Sequence, residues 1–148
     1  MAPKLPTNPI IRRTTLVRIG EARLREARAL LEAGEYSGAV YLAGYAVECH
    51  LKAAICVRLD WESLLATFKT HDLEGLLLYT GLQRKLRNVD LVRSSFTKIV
   101  GLWNGGGREP VVRYDDPASL DQQTAQLFMS SVEGVPEGVI PWLQKAIS

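Results

Sequence analysis

Between Ser37 and Ile55, apolar or small residues fall on nearly every face of a helical wheel. A helix that is apolar all round belongs at the centre of a bundle, so this stretch, continued to Leu59, is predicted as a central helix. Glu48 and Lys52 sit one turn apart within it. Buried charge without a partner is costly, so these two side chains need partners in the core. Upstream, Val17, Leu24, Ala27 and Leu31 form an apolar stripe. They predict a first helix opened by Thr14 or Thr15, running to Ala33 and ended by Gly34. The short link before Ser37 makes the first two helices antiparallel neighbours. Leu82, Leu86, Val89, Phe96, Val100 and Trp103 continue the helical spacing. They predict a third long helix from Leu82 to Trp103, stopped by Asn104 and the three glycines behind it. Asp116 as N-cap, with Pro117 at the first position, opens a fourth helix that runs to Glu133.

Shorter helical pieces are expected at Asp60 to Phe68, at Asp72 to Tyr79 (capped by Thr70 or Asp72), and near the end, with Pro141 in the first turn. Val111 to Tyr114 reads as extended or irregular, and no segment shows strand alternation. The predicted fold class is all-α, an up-and-down bundle of four long helices with one or two short extra helices. Residues 14–148 form one domain, and residues 1–13, proline-rich at their start, read as a disordered leader.

Composition changes this picture little. Of 148 residues, 47% are hydrophobic and 23% charged, which suits a soluble globular chain. A net charge of +2 makes no case for nucleic acid by itself. Its distribution does more: residues 1–30 and residues 84–113 each hold seven basic side chains against two acidic ones, on an otherwise acidic chain. Two such segments can build a local positive patch. Cys49 and Cys56 are seven apart, about 10 Å along one helix. That is too far for a disulfide, so they read as core residues in a reducing compartment. No spacing calls for a metal ion or a cofactor. Glu48, His50 and Lys52 interrupt the longest apolar run, so no membrane span is expected and the protein is placed in the cytoplasm.

Three stretches carry a family resemblance. Tyr41-Leu-Ala-Gly-Tyr-Ala-Val-Glu-Cys-His-Leu-Lys-Ala-Ala54 lies on the central helix, Lys69-Thr-His-Asp-Leu73 precedes the next, and Arg113-Tyr114 precedes the last long one. Together they resemble the HEPN (higher eukaryotes and prokaryotes nucleotide-binding) family from Thr15 to Ile147. The resemblance implies an up-and-down helical bundle that commonly forms a homodimer. Many members are metal-independent ribonucleases in toxin–antitoxin systems, often beside a minimal nucleotidyltransferase partner. Their motif is an Arg followed, after four to six residues, by a His. Neither His50 nor His71 has an Arg at that distance upstream. In the nearest approach, Arg87-Asn88 is followed by Arg93 where the histidine belongs, and a guanidinium stays protonated and cannot act as a general base.

The expected function is therefore a non-catalytic HEPN-like bundle binding RNA, a nucleotide or a partner protein. The alternatives are a divergent metal-independent endoribonuclease and a structural or antitoxin-like partner. No catalytic residue is assigned. Arg87, Asn88, Arg93, Arg113 and Tyr114 are the contact candidates, since Arg holds phosphate and Tyr stacks on bases. Glu48, Lys52, His71 and Asp72 are expected to form an internal polar network, with Arg93 or Arg113 as a possible partner of Glu48. Aromatic residues that would stack exposed bases are not interleaved with the basic residues of 84–98, which weakens single-strand binding along that segment.

Overall fold

The computed structural model describes residues 11–148. Two-residue strands β1 (Ile11–Arg12) and β2 (Ser63–Leu64) pair antiparallel. The helices are α1 (Arg13–Glu32), α2 (Tyr36–Arg58), α3 (Leu73–Thr80), α4 (Gln83–Arg87), α5 (Asp90–Trp103), α6 (Gln122–Glu133) and α7 (Val139–Ala146). Single 3₁₀ turns occupy Ala66–Phe68, Val111–Tyr114 and Pro117–Ser119. The fold is all-α, a helical bundle in which α1, α2, α5 and α6 are the long members. The leader expected over residues 1–13 lies outside the described residues up to position 10; beyond it, Ile11 and Arg12 are in the ladder and Arg13 begins α1.

The all-round apolar pattern of α2 places it in the middle, where it packs on α1, α3, α5, α6 and α7. It is long and apolar enough by composition to cross a membrane, but its apolar window is 78% buried inside the bundle. Gly34 ends the α1–α2 hairpin at φ +80°, a conformation that favours glycine. Close approach comes from small residues. An added Cβ at Gly20 on α1 would lie 2.7 Å from the His50 ring on α2.

Three expectations are corrected. The predicted third helix is broken into α4 and α5 at Asn88–Val89. Asn and Asp offer the backbone local alternatives to the helical ladder, and Asn88 and Asp90 flank the break. Arg93 then donates from Nη1 to the freed Arg87 carbonyl at 3.0 Å. The fourth helix starts at Gln122, because Asp121 accepts from Thr124 N at 2.8 Å and caps it there. Asp116 does cap, but it caps the 3₁₀ turn, accepting from Ala118 N at 3.0 Å. Residues 63 and 64, expected in a helical turn, form β2 against the chain's entry into α1.

His50 gives the bundle an acid sensitivity. Its Nδ1 lies 2.7 Å from the Ala46 carbonyl, while its Nε2 is buried without a hydrogen bond. Burial is the main cause lowering its pKa below the ordinary histidine value, against weaker opposing effects of the Ala46 carbonyl and Glu21. The folded state then excludes a proton that the unfolded chain binds, so this contribution is complete above about pH 6.5 and is lost as pH falls. The expected slope reaches about 1.4 kcal/mol per pH unit. Urea unfolding of wild type and His50→Gln from pH 7.5 to 5 checks this. Parallel pH curves for the two proteins would refute it.

Candidate functional site

The charges of α2 are settled within the bundle. Glu48, 5% exposed at its side chain, accepts from Lys52 Nζ at 3.0 Å on one oxygen and meets His71 Nδ1 at 2.6 Å on the other. Neither Arg93 nor Arg113 is its partner; Arg93 pairs with Asp90 at 3.0 Å and Arg113 with Glu109 at 3.0 Å. Both arginines reach solvent, where ion pairing needs no desolvation. His71 is positioned from two sides. Asp72 next to it caps α3 by accepting from Gly75 N at 3.1 Å, and Thr70 Oγ1 accepts from Asp72 N at 3.2 Å. Asn104, fully buried at the end of α5, donates to the His71 carbonyl at 2.9 Å and the Glu109 carbonyl at 3.3 Å, and accepts from Leu73 N at 3.4 Å. Read along the sequence, Asn104 is only a helix stop; its role as the tie between α3, α5 and the glycine loop depends on tertiary proximity.

Aromatic rings enclose this network. The Tyr45 ring stands edge-on to Tyr41, His71 and Trp103, with centroids at 4.9, 5.6 and 5.3 Å. Burial is the largest cause raising the Tyr45 pKa, followed by its hydrogen bond with Tyr41 and the charge of Glu48. The cysteines are core residues: burial raises the Cys49 thiol to about 11, and burial also raises Cys56. Among the described residues no His, Cys, Asp or Glu cluster has the arrangement of a metal site.

The contact candidates divide into two places. Arg113 and Tyr114 lie near the Asn104 end of α5. The guanidinium stacks over the Tyr114 ring at 4.9 Å and is neutralised by Glu109, with Asp115 and Asp116 following in sequence. Tyr114 is 78% exposed. Arg87, Asn88 and Arg93 lie at the other end of α5, a helix about 20 Å long. The two groups do not converge on one ligand.

At that second end, Lys85 on α4 and Asn88 and Val89 at the α4–α5 break face one notch. Helix α7 presents Trp142, Lys145 and Ala146 at i, i+3 and i+4. The six residues line an open notch of about 490 Å³. Val89, Ala146 and the half-buried Trp142 give it apolar lining, and the exposed Lys85 and Lys145 complete it. Arg84 and Arg87 lie elsewhere on α4, outside the notch lining. Among the described residues none of Arg84, Lys85, Arg87 and Lys145 makes an ion pair. Some of this charge complements the carbonyl ends of α4 and α7. Lys85 and Lys145, without ion pairs among the described residues and lining a notch that has no lining carboxylate, form an anion-attracting surface. The structure thus supplies an accessible aromatic residue beside Lys85 from 57 positions downstream, where the segment's own Phe96 is buried.

A family model described as the HEPN domain matches residues 14–139, most of the chain. No curated protein and no solved structure matches it.

Proposed function

Because the chain belongs to the HEPN domain family, we propose that it binds the phosphates of RNA or of a nucleotide at the α4–α7 face, as a non-catalytic member. The observation that carries this reading is the pair Lys85 and Lys145, which line the Trp142 notch and make no ion pair among the described residues. Arg93, at the position of the family's catalytic histidine, supports it: the guanidinium is engaged by Asp90 and the Arg87 carbonyl and cannot take up a proton. The Arg113–Tyr114 end is the weaker candidate, since Glu109 already occupies the guanidinium. A cytoplasmic homodimer is part of this reading.

Lys85→Ala/Lys145→Ala is expected to weaken binding of a ten-nucleotide single-stranded RNA about tenfold or more at low salt. It should also reduce the slope of log affinity against log salt by about 1.4, the sum for two lost contacts to a single strand. Arg87→Ala should weaken binding less, and Arg113→Ala should leave it unchanged. Fluorescence anisotropy across a salt series measures all four proteins. An unchanged affinity and slope in the double variant would remove the proposed face.

A second reading, a divergent metal-independent endoribonuclease, is favoured by one observation. Glu48 orients His71 through Nδ1 as a carboxylate orients a general base. RNA incubated with the pure protein in EDTA separates the two: cleavage abolished by His71→Ala would replace the binding reading with this one.

A further inference from the structure

We infer that the notch between α4 and α7 holds one unpaired nucleobase, stacked on the Trp142 indole, with its flanking phosphates on Lys85 and Lys145. This rests on the reading that the α4–α7 face binds nucleic acid, and it specifies a single strand as the ligand.

The geometry gives three complementary parts. Packing against the core holds the Trp142 side chain, while the notch leaves part of it accessible. A fixed indole is a stacking platform whose ordering cost was met on folding. Asn88 is exposed at the same notch, and its side-chain amide makes no hydrogen bond among the described residues. An amide presents a donor and an acceptor together, the complement of a base edge. Lys85 comes from α4 and Lys145 from α7, and both line the notch, so a backbone crossing it is offered cations from two helices. At about 490 Å³ the notch has the size of a small-ligand site.

An intact duplex cannot use this arrangement, because the faces of its bases are covered by their neighbours. An acidic peptide would use the two lysines and the apolar walls, but it has no need of the amide. The combination of indole, amide and paired ammonium groups favours a base with its phosphates over a carboxylate-bearing chain.

Two ten-nucleotide single strands test this, one ordinary and one with abasic residues at its four central positions. Both carry the same phosphates. Wild type is expected to bind the ordinary strand about tenfold more tightly, the scale of one base–aromatic stack. Trp142→Leu should bring the two strands to equal affinity while abasic-strand binding persists, and Trp142→Phe should retain part of the preference. Asn88→Ala, an exposed change that leaves the packing alone, should reduce the preference about threefold. Lys85→Ala/Lys145→Ala should weaken both strands alike. Equal affinity of wild type for both strands, with the lysine variant still impaired, would overturn the base site and leave the phosphate-binding reading standing. Binding of neither strand would remove both. Displacement of the ordinary strand by a glutamate-rich peptide in a Trp142-dependent way, without any preference for bases, would also overturn the base site and make the notch a protein groove.

Discussion

Gly44→Ala is expected to lower the free energy of unfolding by about 3–5 kcal/mol. Gly44 lies buried on α2, where an added Cβ would fall inside contact distance of the Trp103 indole Nε1. Trp103 is fully buried and cannot yield by moving into solvent. Its Nε1 donates to the Tyr41 carbonyl at 3.1 Å, so displacing the ring also strands a buried donor. Overpacking costs about 1–3 kcal/mol and an unsatisfied buried donor a similar amount. A domain has only about 5–15 kcal/mol in total. Gly101→Ala on α5 is the matching control, since a Cβ there meets nothing within 4 Å. It should stabilise by about 0.5–1 kcal/mol, as helical Gly-to-Ala changes do. Urea unfolding of the two variants beside wild type decides the matter. A Gly44→Ala protein within 1 kcal/mol of wild type would mean that the α2–α5 contact is looser than described.

Gly44 also shows which parts of the fold are legible in sequence. The apolar saturation of residues 37–55 marks α2 as central because burial is a property of the residues themselves. Its hairpin partner, the ends at Gly34 and Gly81, and the Asp72 cap follow from local conformational preferences that the sequence carries directly. That Gly44 must be glycine depends instead on Trp103, 59 positions away, and no periodicity encodes that pairing. The break between α4 and α5 has a local signal in Asn88 and Asp90, but six apolar positions in helical register outweigh it. All but the exposed Val89 pack on the core, because α4 and α5 both turn an apolar side to it. The start of α6 has the same character. Asp116-Pro117 and Asp121 are both sound capping signals, and only the 3₁₀ turn between them shows that the second opens the helix.

The candidate site was legible in its residue types and not in its assembly. Asn88 lines the notch and Arg87 precedes it in sequence, while Arg113 and Tyr114, grouped with them by chemistry, stand at the opposite end of α5. Trp142 and Lys145 carry no chemical signal in a short terminal helix whose aromatic residue looks like packing. Their significance comes from lying across from Lys85, a relation set by the docking of α7. Glu48 is the converse case. Its need for partners is plain from its place on α2, and Lys52 is a neighbour by helical spacing, yet the identity of the second partner depends on how the chain before α3 crosses α2.

That crossing makes Glu48→Ala the other change of large expected effect, about 3–5 kcal/mol, because removing one member of a buried ion pair leaves uncompensated charge. Lys52 is 10% exposed at its side chain, so its ammonium would lose its carboxylate partner in surroundings that cannot hydrate it. His71 would lose the contact that holds the segment before α3 against α2. Coulombic strength alone is not the reason for the loss. Apolar replacements of a whole buried pair are often neutral, so Glu48→Leu/Lys52→Met should recover to within about 1–2 kcal/mol of wild type. His71, one-third exposed at its side chain, can then turn to water. The two variants separate structural from functional roles. A double variant that regains stability and still binds single-stranded RNA would confine Glu48 to the scaffold. If Glu48→Ala melts like wild type, the network is not what joins α3 to α2. If the restored double variant loses RNA binding, Glu48 and His71 belong to the ligand site, and the proposal centred on Trp142 gives way to one centred on His71.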